Sequence, residues 1–196
     1  MKKNVAILAL SVLALLGNAT VAQQKKSDQP APMRRTGPSS EQAKLSFLVG
    51  TYATETKVHL GPTSSKDALG KGTSAIRWGL DSMVIFVEEQ SVNPVLGNYK
   101  GFGILGYDRS ASQYALSMYN NFGDHPQYRG AFSGDTLVLS CRVPSPGGAF
   151  DQKILWYKDG ATLRLQVLND MGTGFVPVVD QFSMPVESPG KSPRDN

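Results

Sequence analysis

Little in this sequence can act as a covalent or metal-based staple. Cys141 is the only cysteine, which excludes an intramolecular disulfide, so a folded domain must be held by its core. It ends the apolar run Leu137-Val138-Leu139-Ser140-Cys141, the setting of a buried, unreactive thiol rather than a nucleophile. Histidine is almost as scarce: His59 and His125 are the only two, each beside a loop signal. A zinc centre needs three or four converging ligands, and no H-x-x-x-H, C-x-x-C or H-E-x-x-H spacing occurs. No metal and no cofactor is therefore expected. Nor does any serine sit in a G-x-S-x-G elbow, which leaves a nucleophilic triad unsupported.

Basic charge is also missing where it would matter. The chain is formally +4, but Lys2, Lys3, Lys25, Lys26, Arg34, Arg35, Lys191 and Arg194 all lie near its ends. Residues 41–186 keep twelve basic and thirteen acidic side chains, a net charge of about −1. Binding phosphate needs basic side chains clustered on a folded surface, so no nucleic-acid partner is expected.

The ends have their own logic. Met1-Lys2-Lys3 precedes an apolar run from Val5 to Leu16, then small residues at Thr20 and Ala22 before Gln23. A positive start, an apolar stretch and a small-residue site are what a signal peptidase reads. The run is shorter than the about 20 apolar residues of a membrane span. Residues 1–22 thus read as a cleaved signal peptide, implying a periplasmic or secreted protein with no transmembrane span after processing. Residues 23–40 and 187–196 are rich in Pro, Ser, Gln and charge, and bury too little to offset the entropy of ordering. They read as a linker and a tail around one domain, residues 41–186.

Within that domain, Ser39-Ser40-Glu41-Gln42 offers a helix cap, followed by Ala43, Leu45, Phe47 and Leu48, with Gly50 as the stop. This predicts one short helix able to plug a barrel end. The rest reads as strands. Tyr114, Leu116 and Met118 alternate with Gln113 and Ser117, and Leu163, Leu165 and Val167 with Thr162, Arg164 and Gln166, as expected where one face is buried. Asp159-Gly160 is a strong hairpin signal, and Gly61-Pro62, Asn93-Pro94, Asp108-Arg109 and Gly134-Asp135 mark further turns. About ten strands are expected, near 50–59, 69–79, 82–92, 98–107, 112–120, 126–133, 135–142, 151–158, 161–169 and 174–184. Hairpin-linked strands in this number favour a single antiparallel up-and-down barrel, because closure removes exposed edges.

Two motifs carry candidate chemistry. Gly101-Phe102-Gly103-Ile104-Leu105-Gly106 matches G-x-G-x-x-G, but a dinucleotide site requires that motif to open a helix, whereas this one runs on into the Asp108 turn. Its glycines instead relieve crowding where a strand bends or a side chain crosses it. Glu88-Glu89 follows Met83-Val84-Ile85-Phe86-Val87, and alternation sends one of the two carboxylates inward. Arg77 on the preceding strand is the natural partner, either in a structural ion pair or in an acid-base pair. Trp78, Phe102, Tyr114, Phe132, Trp156 and Phe175 supply inward aromatic mass, which can line an apolar pocket or fill the barrel outright.

LSFLVGTY at 45–52, GKGTSAIRWGLDSMVIFVEE at 70–89, YKGFGILGYDRSASQY at 99–114 and YRGAFSGDTLVLS at 128–140 resemble the bacterial family catalogued as domain of unknown function 1579. The resemblance implies a lipocalin-like, calycin-type β-barrel, often secreted, and assigns no functional residues. The same barrel shape occurs in haem-binding nitrobindin-like proteins, which hold iron through a histidine on a late strand. No histidine follows His125 here, so haem held in that way is not expected.

The leading expectation is an exported barrel that binds a small apolar or amphipathic molecule, with Trp78, Glu88, Glu89, Phe102, Tyr114, Met118 and Trp156 lining the cavity. The alternatives are a barrel-type enzyme, an isomerase or cyclase using Arg77 with Glu88 or Glu89, and a cell-envelope interaction module. Oligomeric state has no signature in the pattern.

Overall fold

The computed structural model describes residues 37–61 and 66–186. The expected signal peptide, most of the expected linker, Pro62 and the expected tail lie outside the described residues. The domain begins with a capping box: Ser39 Oγ accepts from the Gln42 amide, and the Gln42 side chain accepts from the Ser39 N–H. A four-residue helix, α1 (Ser40–Ala43), follows and tightens at once into a 3-10 turn over Lys44–Leu48. At three residues per turn, positions i and i+3 eclipse. Leu45 and Leu48 therefore point the same way, and both are fully buried.

Ten antiparallel strands come next: β1 (Gly50–Val58), β2 (Ala68–Gly79), β3 (Val84–Asn93), β4 (Gly97–Asp108), β5 (Gln113–Asn120), β6 (Gln127–Ser133), β7 (Thr136–Val143), β8 (Phe150–Asp159), β9 (Thr162–Asp170) and β10 (Phe175–Pro185). Each pairs with its neighbours in sequence, and β10 pairs with β1 from Tyr52↔Pro185 to Val58↔Val179. The result is the closed up-and-down barrel that the turn chemistry predicts. Gly160 and Gly134, at the β8–β9 and β6–β7 turns, have φ of +59° and +58°, which a glycine adopts without steric cost.

One end of the barrel is filled. Inward-facing Ile76, Ile85, Leu105, Tyr114, Leu137, Trp156 and Leu163 are each 3% exposed or less, and the Leu45–Leu48 turn packs on them. The Tyr114 hydroxyl donates to Glu41, to its main-chain oxygen at 2.8 Å and its carboxylate at 2.9 Å. Gln42, itself buried, accepts from Arg109 and donates to the Met83 carbonyl at 3.3 Å. Its side chain thus ties the cap to two hairpins. Gln42→Ala removes these bonds and takes a donor from the part-buried Met83 carbonyl, so we expect a loss of about 2 kcal/mol in urea unfolding. A change within about 0.5 kcal/mol, typical of surface positions, would show that the plug is not anchored this way.

Two local departures from regular geometry matter. Leu80, Asp81 and Ser82, between β2 and β3, all adopt positive φ, of 50°, 56° and 65°, in a turn that contains no glycine. In β10 the register against β9 shifts between Pro177 and Val179. Proline lacks the ladder N–H and is tolerated in strands at such bulges.

Candidate functional site

Above the plugged floor the barrel changes character. The inward positions become Thr54 and Thr56 on β1, Ser74 on β2, Glu89 on β3, Tyr99 on β4 and Met118 on β5. Tyr128, Cys141, Gln152, Val167 and Asn169, and Gln181 with Ser183, continue the ring on β6 to β10. Glu89, Tyr99, Met118, Cys141, Gln152, Val167 and Asn169 keep some accessible surface, although each points into a closed barrel. An inward side chain is accessible only where the interior is open, so the upper half is a lumen entered from the end opposite the helix.

Two polar groupings line it. On one wall the Gln181 amide donates to Glu89 Oε1 at 3.2 Å, reaching past β1 and β2, and also to Ser183 Oγ at 3.4 Å. Ser74 stands opposite Glu89 in the β2–β3 register, and Thr56 stands opposite Gln181 in the β1–β10 register. The hydroxyls of Thr56 and Ser74 are buried and have no hydrogen-bond partner, an uncommon state for buried polar atoms. On the facing wall the Tyr128 hydroxyl donates to Gln152, whose amide donates to Asn169 at 2.8 Å.

The electrostatics follow from enclosure. Burial disfavours the charged form of an acid, and it pushes the Glu89 carboxyl above its ordinary 4.5 despite the opposing bond from Gln181. The Tyr99 phenol is pushed up by burial and then by the Glu89 and Asp124 charges. Burial likewise raises Tyr128, with the Cys141 thiol adding to it, and burial raises Cys141. Among the described residues, the one Lys, Arg or His with inward strand parity is Lys158, paired with Leu163 at the exposed plug end of β8, away from the upper half of the barrel.

The residues expected at the cavity divide three ways. Glu89 and Met118 face the lumen, and Met118 packs its sulfur against Gly103, so that a side chain there would have to displace it. Gly103 therefore meets the crowding that its motif implied, inside a strand that runs from Gly97 to Asp108 and opens no helix. Trp78, Tyr114 and Trp156 face inward but belong to the floor packing. Glu88 and Phe102 correct the expectation. Each is paired out of phase with the inward set and lies on the outer face, where Phe102 stacks on Phe86 with ring centroids 6.0 Å apart. Arg77 is also outside, paired with Glu88 and lying 5.3 Å from the Phe86 ring centre. An interior acid-base pair built on Arg77 is therefore ruled out.

Phe175 is a second correction. The bulge at Pro177–Val179 reverses side-chain parity, as a one-residue slip must, and turns its ring outward beneath the Lys153 ammonium at 3.7 Å. The histidines are outside the lumen too. His59 bridges Asp67 at 3.0 Å and Asp180 at 2.8 Å at the rim, and exposed His125 stacks on Tyr119 at 4.0 Å. No group of three or more His, Cys, Asp or Glu among the described residues is arranged to hold a metal ion. No described helix is long and apolar enough to cross a membrane.

Sequence reasoning missed Tyr99, Tyr128, Gln152, Asn169, Gln181 and the pair of unpartnered hydroxyls. Alternation through Gly101 and Gly103 places Tyr99 beside Glu89 and was the available signal for it. The amides had none, because a polar residue on an alternating strand reads as solvent-facing.

A closed ten-stranded barrel with a packed floor, a plug and a polar, acid-lined lumen is the architecture of a small up-and-down β-barrel protein. The chain belongs to the family described as Protein of unknown function (DUF1579), whose model matches residues 37–171. The match spans the plug and β1 to β9, and the closing strand β10, with Gln181 and Ser183, lies beyond it. No curated protein matches the sequence.

Proposed function

We propose that this is an exported protein that carries a small amphipathic molecule in the upper half of its barrel. The observation that supports this most is the pair of buried, partnerless hydroxyls on Ser74, opposite Glu89, and Thr56, opposite Gln181, above a filled apolar floor. Small-molecule sites combine apolar walls with a few convergent polar groups, and Met118 and Val167 supply the apolar side of this lumen. An envelope interaction module would instead use the outer row of Phe86, Phe102, Ile104 and Tyr119. That row is weaker support, because Phe86 and Phe102 cover each other and Arg77 covers Phe86.

Native mass spectrometry of the protein purified from its own host tests the reading. A small-molecule adduct is expected on the intact chain, released on unfolding and lost in Val167→Trp, which fills the lumen while the circular dichroism of the barrel persists. A bare polypeptide mass for the original chain, or an adduct unchanged in Val167→Trp, contradicts it. The same spectra report export, through a mature mass that begins at Gln23.

A further inference from the structure

Any occupant of the lumen meets ionisable groups of one kind only. The Glu89 carboxyl, the Tyr99 and Tyr128 phenols and the Cys141 thiol are all acids, and the remaining polar positions are amides and hydroxyls. Every described Lys, Arg and His on the strands points to the outer face, the rim or, for Lys158, lies at the exposed plug end. An anionic head group placed here would lose its water without gaining a counter-charge, which is costly. It would also face a carboxyl of its own sign.

One wall, in contrast, presents unused acceptors. Gln181 donates to Glu89 Oε1, and the described residues offer Oε2 no donor. Ser74, opposite Glu89 in the register, and Thr56, opposite Gln181, are 2% and 6% exposed, and their hydroxyl oxygens have no partner. A primary ammonium carries three N–H donors and no acceptor. It therefore matches a carboxylate oxygen with the Ser74 hydroxyl opposite it in the register.

Building on the lumen-binding reading above, we propose that the barrel selects an apolar molecule bearing a primary amine, held by Glu89 with Ser74, and rejects anionic amphiphiles. The raised Glu89 carboxyl fits this role, since a buried cation restores the charged form that burial disfavours. Hydrogen bonds between ionised partners are also roughly twice as strong as neutral ones.

Calorimetric titration of the purified chain with decylamine, decanol and decanoate, each below its aggregation limit, tests the selectivity. Decylamine is expected to bind about tenfold more tightly than decanol, a difference of about 1.4 kcal/mol, and decanoate more weakly than decanol. Glu89→Gln should bring decylamine to the decanol level and leave decanol binding in place, which also shows that the variant is folded. Decanoate binding as tightly as decylamine, or an amine advantage that survives Glu89→Gln, overturns the proposal. If decanol binds and the amine gains nothing, amine selectivity alone fails. If none of the three binds, the lumen-binding reading fails and this one with it.

Discussion

Trp156→Ala is expected to lower the stability of the domain by about 3–5 kcal/mol, the range for deleting a buried tryptophan, and to shift the urea midpoint accordingly. Trp156 lies on β8 between Leu137 and Leu165 in the barrel register and is 2% exposed. Its indole fills the floor against which the Leu45–Leu48 turn packs, so the deleted volume cannot be refilled from solvent. Single domains of this size are stable by about 5–15 kcal/mol, so the loss is a large share of the total. Phe102→Ala is the matched control. Phe102 is aromatic and lies on a neighbouring part of the pattern, but it is 37% exposed on the outer face, and its truncation should cost less than about 1 kcal/mol. Equal losses for the two variants would mean that the inward and outward faces have been exchanged.

A second expected result concerns pH. The folded Glu89 carboxyl titrates above its unfolded value of 4.5 because burial disfavours its charge. Between the two values the folded state holds more protons than the unfolded state, so stability falls as pH rises through that window. Below the unfolded value the penalty is absent, and above the folded value it is complete. Tyr99 faces Glu89 from β4, and its raised phenol stays protonated throughout this range.

Other carboxyls act in the opposite sense. Lys44 holds Glu41 low, Lys57 holds Asp67 low, and Ser110 holds Asp108 low. Their contributions are present above the ordinary carboxylate range and are lost as pH falls through their depressed values. Glu89→Gln isolates the first effect from the second. The variant should match the original chain in strongly acidic urea titrations and become progressively more stable than it as pH rises above 4.5. A stability difference that stays constant with pH would place Glu89 in water rather than inside the barrel.

The sequence carried the wall of this barrel better than its contents. Tyr114, Leu116 and Met118 alternate cleanly because one side of β5 faces packed apolar atoms and the other faces water. Asp159-Gly160 marks its hairpin because the backbone there needs a left-handed residue. Ser39 and Gln42 announce the cap through hydrogen-bonding chemistry that is local in sequence. Contrast is lost where the interior is itself polar. Thr54 and Thr56 on β1, and Glu89 on β3, occupy inward positions with side chains that a period-two pattern assigns to the wet face. Which of Glu88 and Glu89 points inward depends on pairing with Gly101 and Ser74, a long-range fact. Phe175 was misplaced because the bulge at Pro177 reverses parity midway along β10. The turn at Leu80-Asp81-Ser82 had no signal, since its left-handed backbone is held without glycine.

The hydrated upper lumen is tested most directly through the one thiol it contains. Cys141 faces inward on β7, half-buried beside Tyr128, and burial raises its thiol above the usual range. A small neutral reagent, methyl methanethiosulfonate, should modify the folded protein once, at a rate that climbs with alkaline pH as the thiolate forms, and decanol in the lumen should slow the reaction. A thiol that stays untouched until urea unfolds the chain would mean that the barrel is solid to its mouth.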